Sequence, residues 1–141
     1  GRDPGVEAQL HYTRGWILAR AGQHAEADPS FAEAIRLAEG QGELVAVAQL
    51  GRAASLFARG QDARGLVEEA RGRLGPGQEA LGLRADACLG KGLYRLGFSV
   101  EARRWLLRAA ARAERAGARE VEAEALAELA ELSWEDGASA E

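Results

Sequence analysis

An all-α fold is predicted by three features of this 141-residue chain. Alanine (31 residues) and leucine (18) dominate, whereas valine, isoleucine and threonine together number nine, which starves any β-sheet of the residues that suit it. Apolar residues recur at three- and four-residue spacing along nearly the whole length. Short glycine-marked breaks separate these stretches, as at Gly22-Gln23-His24 and Gly60-Gln61. Sandwiches, barrels and nucleotide-binding α/β folds are thereby excluded. A helical repeat scaffold forming one compact domain is expected.

Seven helices are predicted, near residues 6–21, 28–39, 43–59, 62–73, 78–96, 99–116 and 119–135. Gly22-Gln23-His24 closes the first. Asp28-Pro29 reads as an N-cap followed by proline at the first helical position of the second, and Gly40-Gln41-Gly42 ends it. Gly60-Gln61 closes the third helix, and Asp62 is the expected N-cap of the fourth. Gly75-Pro76-Gly77 separates the fourth from the fifth, Gly97-Phe98 closes the fifth with Ser99 as the next N-cap, and Gly117 ends the sixth. Such short loops make sequential helices antiparallel neighbours.

The bulk numbers limit what the chain can do. Eighteen basic residues against 22 acidic ones give a net charge of −4, so no overall field draws the protein to nucleic acid or anionic lipid. The apolar run from Leu44 to Gly51 is far shorter than the roughly 20 residues that span a bilayer. One cysteine and no secretory signal pattern fit a soluble, cytoplasmic protein. The chain opens Gly1-Arg2-Asp3-Pro4 and has no methionine, which leaves room for a longer parent protein. A single lysine beside 17 arginines, with no asparagine, matches GC-rich codons and a bacterial source.

The glycines closing the odd-numbered helices, Gly22, Gly60 and Gly97, lie 38 and 37 residues apart, so the repeating unit is a helix pair. A second glycine recurs upstream in Arg14-Gly15, Leu50-Gly51 and Leu89-Gly90, where a missing side chain lets two helices approach closely. In the first unit Gly15, Leu18, Gly22, Glu26-Ala27, Phe31 and Ala34-Ile35 follow one pattern; in the third, Leu89-Gly90, Leu93, Gly97, Glu101-Ala102, Leu106 and Ala109 repeat it. This pattern resembles the tetratricopeptide repeat family. The middle unit is degenerate, with Gly65 and Glu69 where alanine and an aromatic are expected, and Arg14 and Asp86 also depart from the pattern. The spacing exceeds the family's usual length of about 34 residues and is similar to the longer repeats of bacterial signal-transduction ATPases and transcription activators.

That resemblance implies a right-handed α-α superhelix of three pairs, residues 6–39, 43–75 and 78–117, with a capping helix at 119–135, in one domain spanning 1–141. It also implies a concave groove lined by the first helix of each pair. Carrying the groove positions over gives Gln9, Tyr12, Thr13, Trp16 and Arg20 from the first unit, Gln49, Arg52 and Ser55 from the second, and Arg84, Cys88, Lys91, Tyr94 and Arg95 from the third. Five of these thirteen are cationic and none is acidic, so the groove is expected to be basic and to suit a peptide with acidic and apolar side chains. In the competing reading Tyr12 and Trp16 belong to the core and the arginines to a solvated face. The family's clamp for a C-terminal carboxylate uses asparagines, which this chain lacks.

The last two helices carry opposite charge. Arg103, Arg104, Arg108, Arg112, Arg115 and Arg119 precede Glu120, Glu122, Glu124, Glu128, Glu131 and Glu135. Pairing between neighbouring helices and a soluble cap is the simpler reading, a docking face the functional one; the acidic helix is also placed to face Arg84, Lys91 and Arg95.

Catalytic and metal chemistry find no footing. Two histidines thirteen residues apart and one cysteine match no metal-ligand spacing, and no cofactor is expected. His24 reads as a partly buried packing residue, and Cys88, between Ala87 and Leu89, as a small buried hydrophobe. Gly90-Lys91-Gly92 lacks the distal glycine and the hydroxyl residue of a phosphate loop. The expected function is a non-catalytic adaptor or sensor module that binds protein or peptide. A self-associating scaffold, with an open repeat end meeting another copy, is one alternative. A nucleic-acid-associated regulatory domain using Arg52, Arg84, Lys91 and the arginine-rich helix from Arg103 to Arg119 is another, ranked below peptide binding.

Overall fold

The computed structural model describes residues 3–140, with side chains through residue 135, so Gly1, Arg2 and Glu141 of the expected domain lie outside the described residues. The described residues form seven α-helices and no strand: α1 Pro4–Arg20, α2 His24–Leu37, α3 Gly42–Ala58, α4 Arg64–Gly72, α5 Glu79–Arg95, α6 Ser99–Ala116 and α7 Arg119–Ala140. The all-α expectation is met, and most boundaries fall within two residues of the sequence reading.

Helix α2 departs from that reading at its start. It begins at His24 rather than Asp28, so Asp28 is no N-cap and Pro29 lies inside the helix. Proline there removes one backbone donor early in the helix, a cost offset by burying Ala27, Ser30, Phe31 and Ala34. Ser99 is likewise the first helical residue of α6 and makes no capping bond. At α4 the N-cap is Ala63 and not Asp62; Asp62 stands one residue earlier, its carboxylate accepting from the Arg64 backbone N–H at 3.0 Å. Asp3, which the sequence reading did not single out, caps α1 by accepting from Gly5 N–H at 2.9 Å.

The glycine period has a direct structural cause. At Gly22, Gly60 and Gly97 φ is +80°, +78° and +92°, a region closed to most side chains. Each ends its helix in the same way, the next residue's N–H bonding back to the carbonyl of Leu18, Leu56 or Leu93 at 2.9 Å.

The chain divides into two compact units, Gly1–Pro76 and Gly77–Glu141, where the sequence reading expects one continuous stack. The division falls where helix is hardest to sustain: α4 has only nine residues, includes Gly65 and Gly72, and is followed by Gly75-Pro76-Gly77. In the first unit α2 packs on α1 and on α3, α3 also reaches α1, and α4 lies on α3. In the second, α6 packs on α5 and α7, and α7 also reaches α5. A helix pair with a third helix against both members therefore occurs in each unit.

Alanine-rich interfaces bring the helices close. Phe31 of α2, only 1 % exposed, fills the space left by two glycines: a β-carbon on Gly15 would lie 2.9 Å from its ring, and one on Gly51 only 2.6 Å. Leu106 of α6 stands against Gly90 of α5 in the same way, 2.8 Å from where a β-carbon would sit. The upstream glycines are thus packing contacts, as the sequence pattern implies.

Candidate functional site

On α1 the groove candidates separate by depth. Tyr12 is half-buried, its ring centroid 6.0 Å from that of Phe31 at a 55° tilt, and so belongs to the core side. Gln9, Thr13, Trp16 and Arg20 are exposed. Thr13 Oγ1 donates to the Gln9 carbonyl at 2.9 Å, and the Arg20 guanidinium lies 4.4 Å from the centre of the Trp16 ring.

Beside this row runs an apolar one that the sequence reading missed as a surface feature. Val6, Leu10 and Ile17 are about 60 % exposed. Their spacing of four and seven residues, with Thr13 between, places them on one helical face. Val6, Gln9, Leu10 and Thr13, with Asp3, Gly5 and Gln41, line an open depression of about 490 Å³. The periodicity was visible in the sequence, but such a stripe reads first as core-facing. Here the core side of α1 is taken by Ala8 and Gly15 instead.

The α3 candidates are engaged internally. Gln49 is buried, its amide donating to Glu69 Oε2 of α4 at 3.2 Å. Ser55 is buried, with its hydroxyl 3.4 Å from Nδ1 of the partly buried His24. Both are corrected from groove-lining to interhelical roles. Small or amide side chains at these positions lie where α3 meets α2 and α4, and burial requires them to find partners there. Arg52 is held by Asp28 of α2, Nε to Oδ1 2.8 Å, an ion pair created by the early start of α2.

In the second unit Arg84 and Arg95 are exposed, and Lys91 pairs with Glu124 of α7 at 2.7 Å. Tyr94 hydrogen-bonds Glu135 of α7, which pushes its phenol up to about 12. The acidic helix thus faces the α5 candidates, as the charge pattern anticipates. With Arg52 and Lys91 both neutralised by carboxylates, the basic character expected of the thirteen positions is reduced to Arg20, Arg84 and Arg95. Arg112 reaches across from α6 to Asp86 of α5 at 3.5 Å, which explains a carboxylate at a buried position where the repeat pattern wants an apolar residue.

Burial pushes the Cys88 thiol up to about 12, against a smaller opposing influence of Lys91. Among the described residues no group of three or more His, Cys, Asp or Glu is placed to hold a metal ion. No described helix is long and apolar enough to cross a membrane.

Glu128 of α7 is raised above its ordinary 4.5 by burial, with Lys91 pulling the other way, and among the described atoms its Oε2 has no hydrogen-bond partner. A carboxyl raised on folding takes up protons in the folded state, so its charged form opposes folding above pH 4.5 and ceases to do so below it. Glu128→Gln should therefore raise the melting temperature at pH 7, with the gain vanishing as the pH falls toward 4.5. Thermal scans of both proteins across that range check it, and a gain independent of pH would contradict the assignment.

Compared with family models, curated proteins and solved structures, the chain matches none.

Proposed function

We propose that the chain is a non-catalytic protein-interaction module of tetratricopeptide-like helix pairs, an adaptor or sensor domain whose docking surface is the outer face of α1. The observation that carries this reading is the row Val6, Leu10 and Ile17, solvent-exposed beside Trp16 and Arg20. Scattered exposed apolar residues are ordinary, but several aligned on one helix with an aromatic ring and a cation form the composition of a binding hot spot. The fitting ligand is an amphipathic helix with apolar side chains toward α1 and carboxylates toward Arg20. The recurring pair-plus-one helix packing in both units supports the repeat architecture.

The test is fluorescence anisotropy with a labelled synthetic helix about 20 residues long, leucines on one face and glutamates beside them. Wild type should bind it. Leu10→Glu and Trp16→Ala should each weaken binding about tenfold or more, Arg20→Glu should weaken it and flatten its salt dependence, and Arg84→Glu on the other unit should leave it unchanged. Equal binding by wild type and the α1 variants would remove α1 as the docking surface.

A further inference from the structure

Within the second unit, helix α7 presents an outward face that no described residue of that unit covers. Leu126 is 52 % and Trp134 75 % exposed, with Ala123 before them and Ala127 and Ala130 between them on the same side. The spacing of three and four residues keeps these five in one stripe. Along it the alanines leave a shallow channel with a large side chain on either side, the complement of a helix carrying a row of separated bulky residues.

The charges of α7 and α1 are also complementary. Between residues 119 and 135, α7 has six glutamates and one arginine, and Glu120 and Glu131 are exposed beside the apolar stripe. Helix α1 has Arg14 and Arg20 exposed and a single acidic residue, Glu7. The two apolar rows match in length as well, Val6 to Ile17 and Ala123 to Trp134 each spanning about 17 Å at the helical rise.

We infer that the acidic amphipathic helix received by α1 is α7 of a second copy of this chain. The inference rests on the docking surface proposed above and names its partner. Pairing α1 with α1 would give Arg14 and Arg20 no row of carboxylates to meet, and pairing α7 with α7 would oppose the glutamates beside the two stripes. Only the unlike pairing satisfies both charge and shape. An unlike pairing gives each copy one α1 face and one α7 face, so copies join either reciprocally as a dimer or head to tail.

Sedimentation velocity on the full chain tests this. Between about 10 μM and about 1 mM the weight-average mass should rise to twice the 15.0 kDa of one chain or beyond. Leu10→Glu with Ile17→Glu blocks the α1 face, and Leu126→Glu with Trp134→Glu blocks the α7 face; all four positions are exposed, so unchanged far-UV circular dichroism is expected. Each blocked protein alone should be monomeric. Their equimolar mixture should form a species of two chains that grows no further, because one junction is intact and the remaining faces repel. A monomeric wild type, a blocked variant that still dimerises, or a mixture that stays monomeric would overturn the inference. If wild type is monomeric yet binds the synthetic acidic helix through α1, only the self-pairing fails. If neither occurs, the docking surface fails with it.

Discussion

Phe31→Ala is expected to cost about 3–5 kcal/mol of unfolding free energy, the range for removing a fully buried aromatic ring. The ring is nearly inaccessible and fills the space where Gly15 and Gly51 contribute no side chain of their own. The same geometry makes the reverse change harmful. Gly51→Ala would set a β-carbon 2.6 Å from the Phe31 ring, closer than packed atoms tolerate, and a ring that is only 1 % exposed has little room to move aside. A loss of about 1–3 kcal/mol is expected, although alanine is the better helix former. Combining Gly51→Ala with Phe31→Leu should lose less than the sum of the two single changes, since the smaller side chain vacates the space the methyl needs. Urea unfolding of the four proteins gives the cycle, and strict additivity would show that the glycine and the ring are not in contact.

The second large effect is a change of sign within one helix. Gly90→Ala should destabilise by about 1–3 kcal/mol, because its β-carbon would lie 2.8 Å from two carbons of Leu106, itself completely buried, with the Leu106 backbone nitrogen also near at 3.4 Å. Gly82→Ala, eight residues earlier in α5, should instead stabilise by about 0.5–1 kcal/mol. Nothing lies within 4 Å of a β-carbon there, and the substitution reduces only the freedom of the unfolded chain. Denaturant midpoints measured side by side decide the matter. Two changes of the same sign would mean that α5 and α6 do not approach each other at Gly90 as described.

These glycines show how much of the fold was legible beforehand. Gly22, Gly60 and Gly97 announce helix ends because left-handed backbone is a local requirement, visible in one residue and its neighbours. Gly15, Gly51 and Gly90 announce close packing because they recur seven, nine and seven residues before those ends, although the partner side chain was visible only as a pattern position. The start of α2 was not legible. Asp28-Pro29 has strong local capping chemistry, yet burial of Ala27, Ser30 and Phe31 extends the helix upstream through it to His24. That shift then places Asp28 where it binds Arg52, a pair no local reading could anticipate.

The candidate site divides along the same line. Helical periodicity assigns residues to faces, but a face has no absolute direction until other helices are packed against it. Gln49 and Ser55 point inward because α2 and α4 cover that side of α3, whereas Val6, Leu10 and Ile17 point outward because Ala8 and Gly15 occupy the core side of α1. Helix content, helix ends and the opposite charges of the last two helices were properties of the sequence by itself, since each depends on residues within a few positions of one another. Which apolar row is buried, which cations are already paired, and which faces are left for another molecule were decided only by tertiary structure, since each depends on side chains 20 or more positions apart competing for the same space.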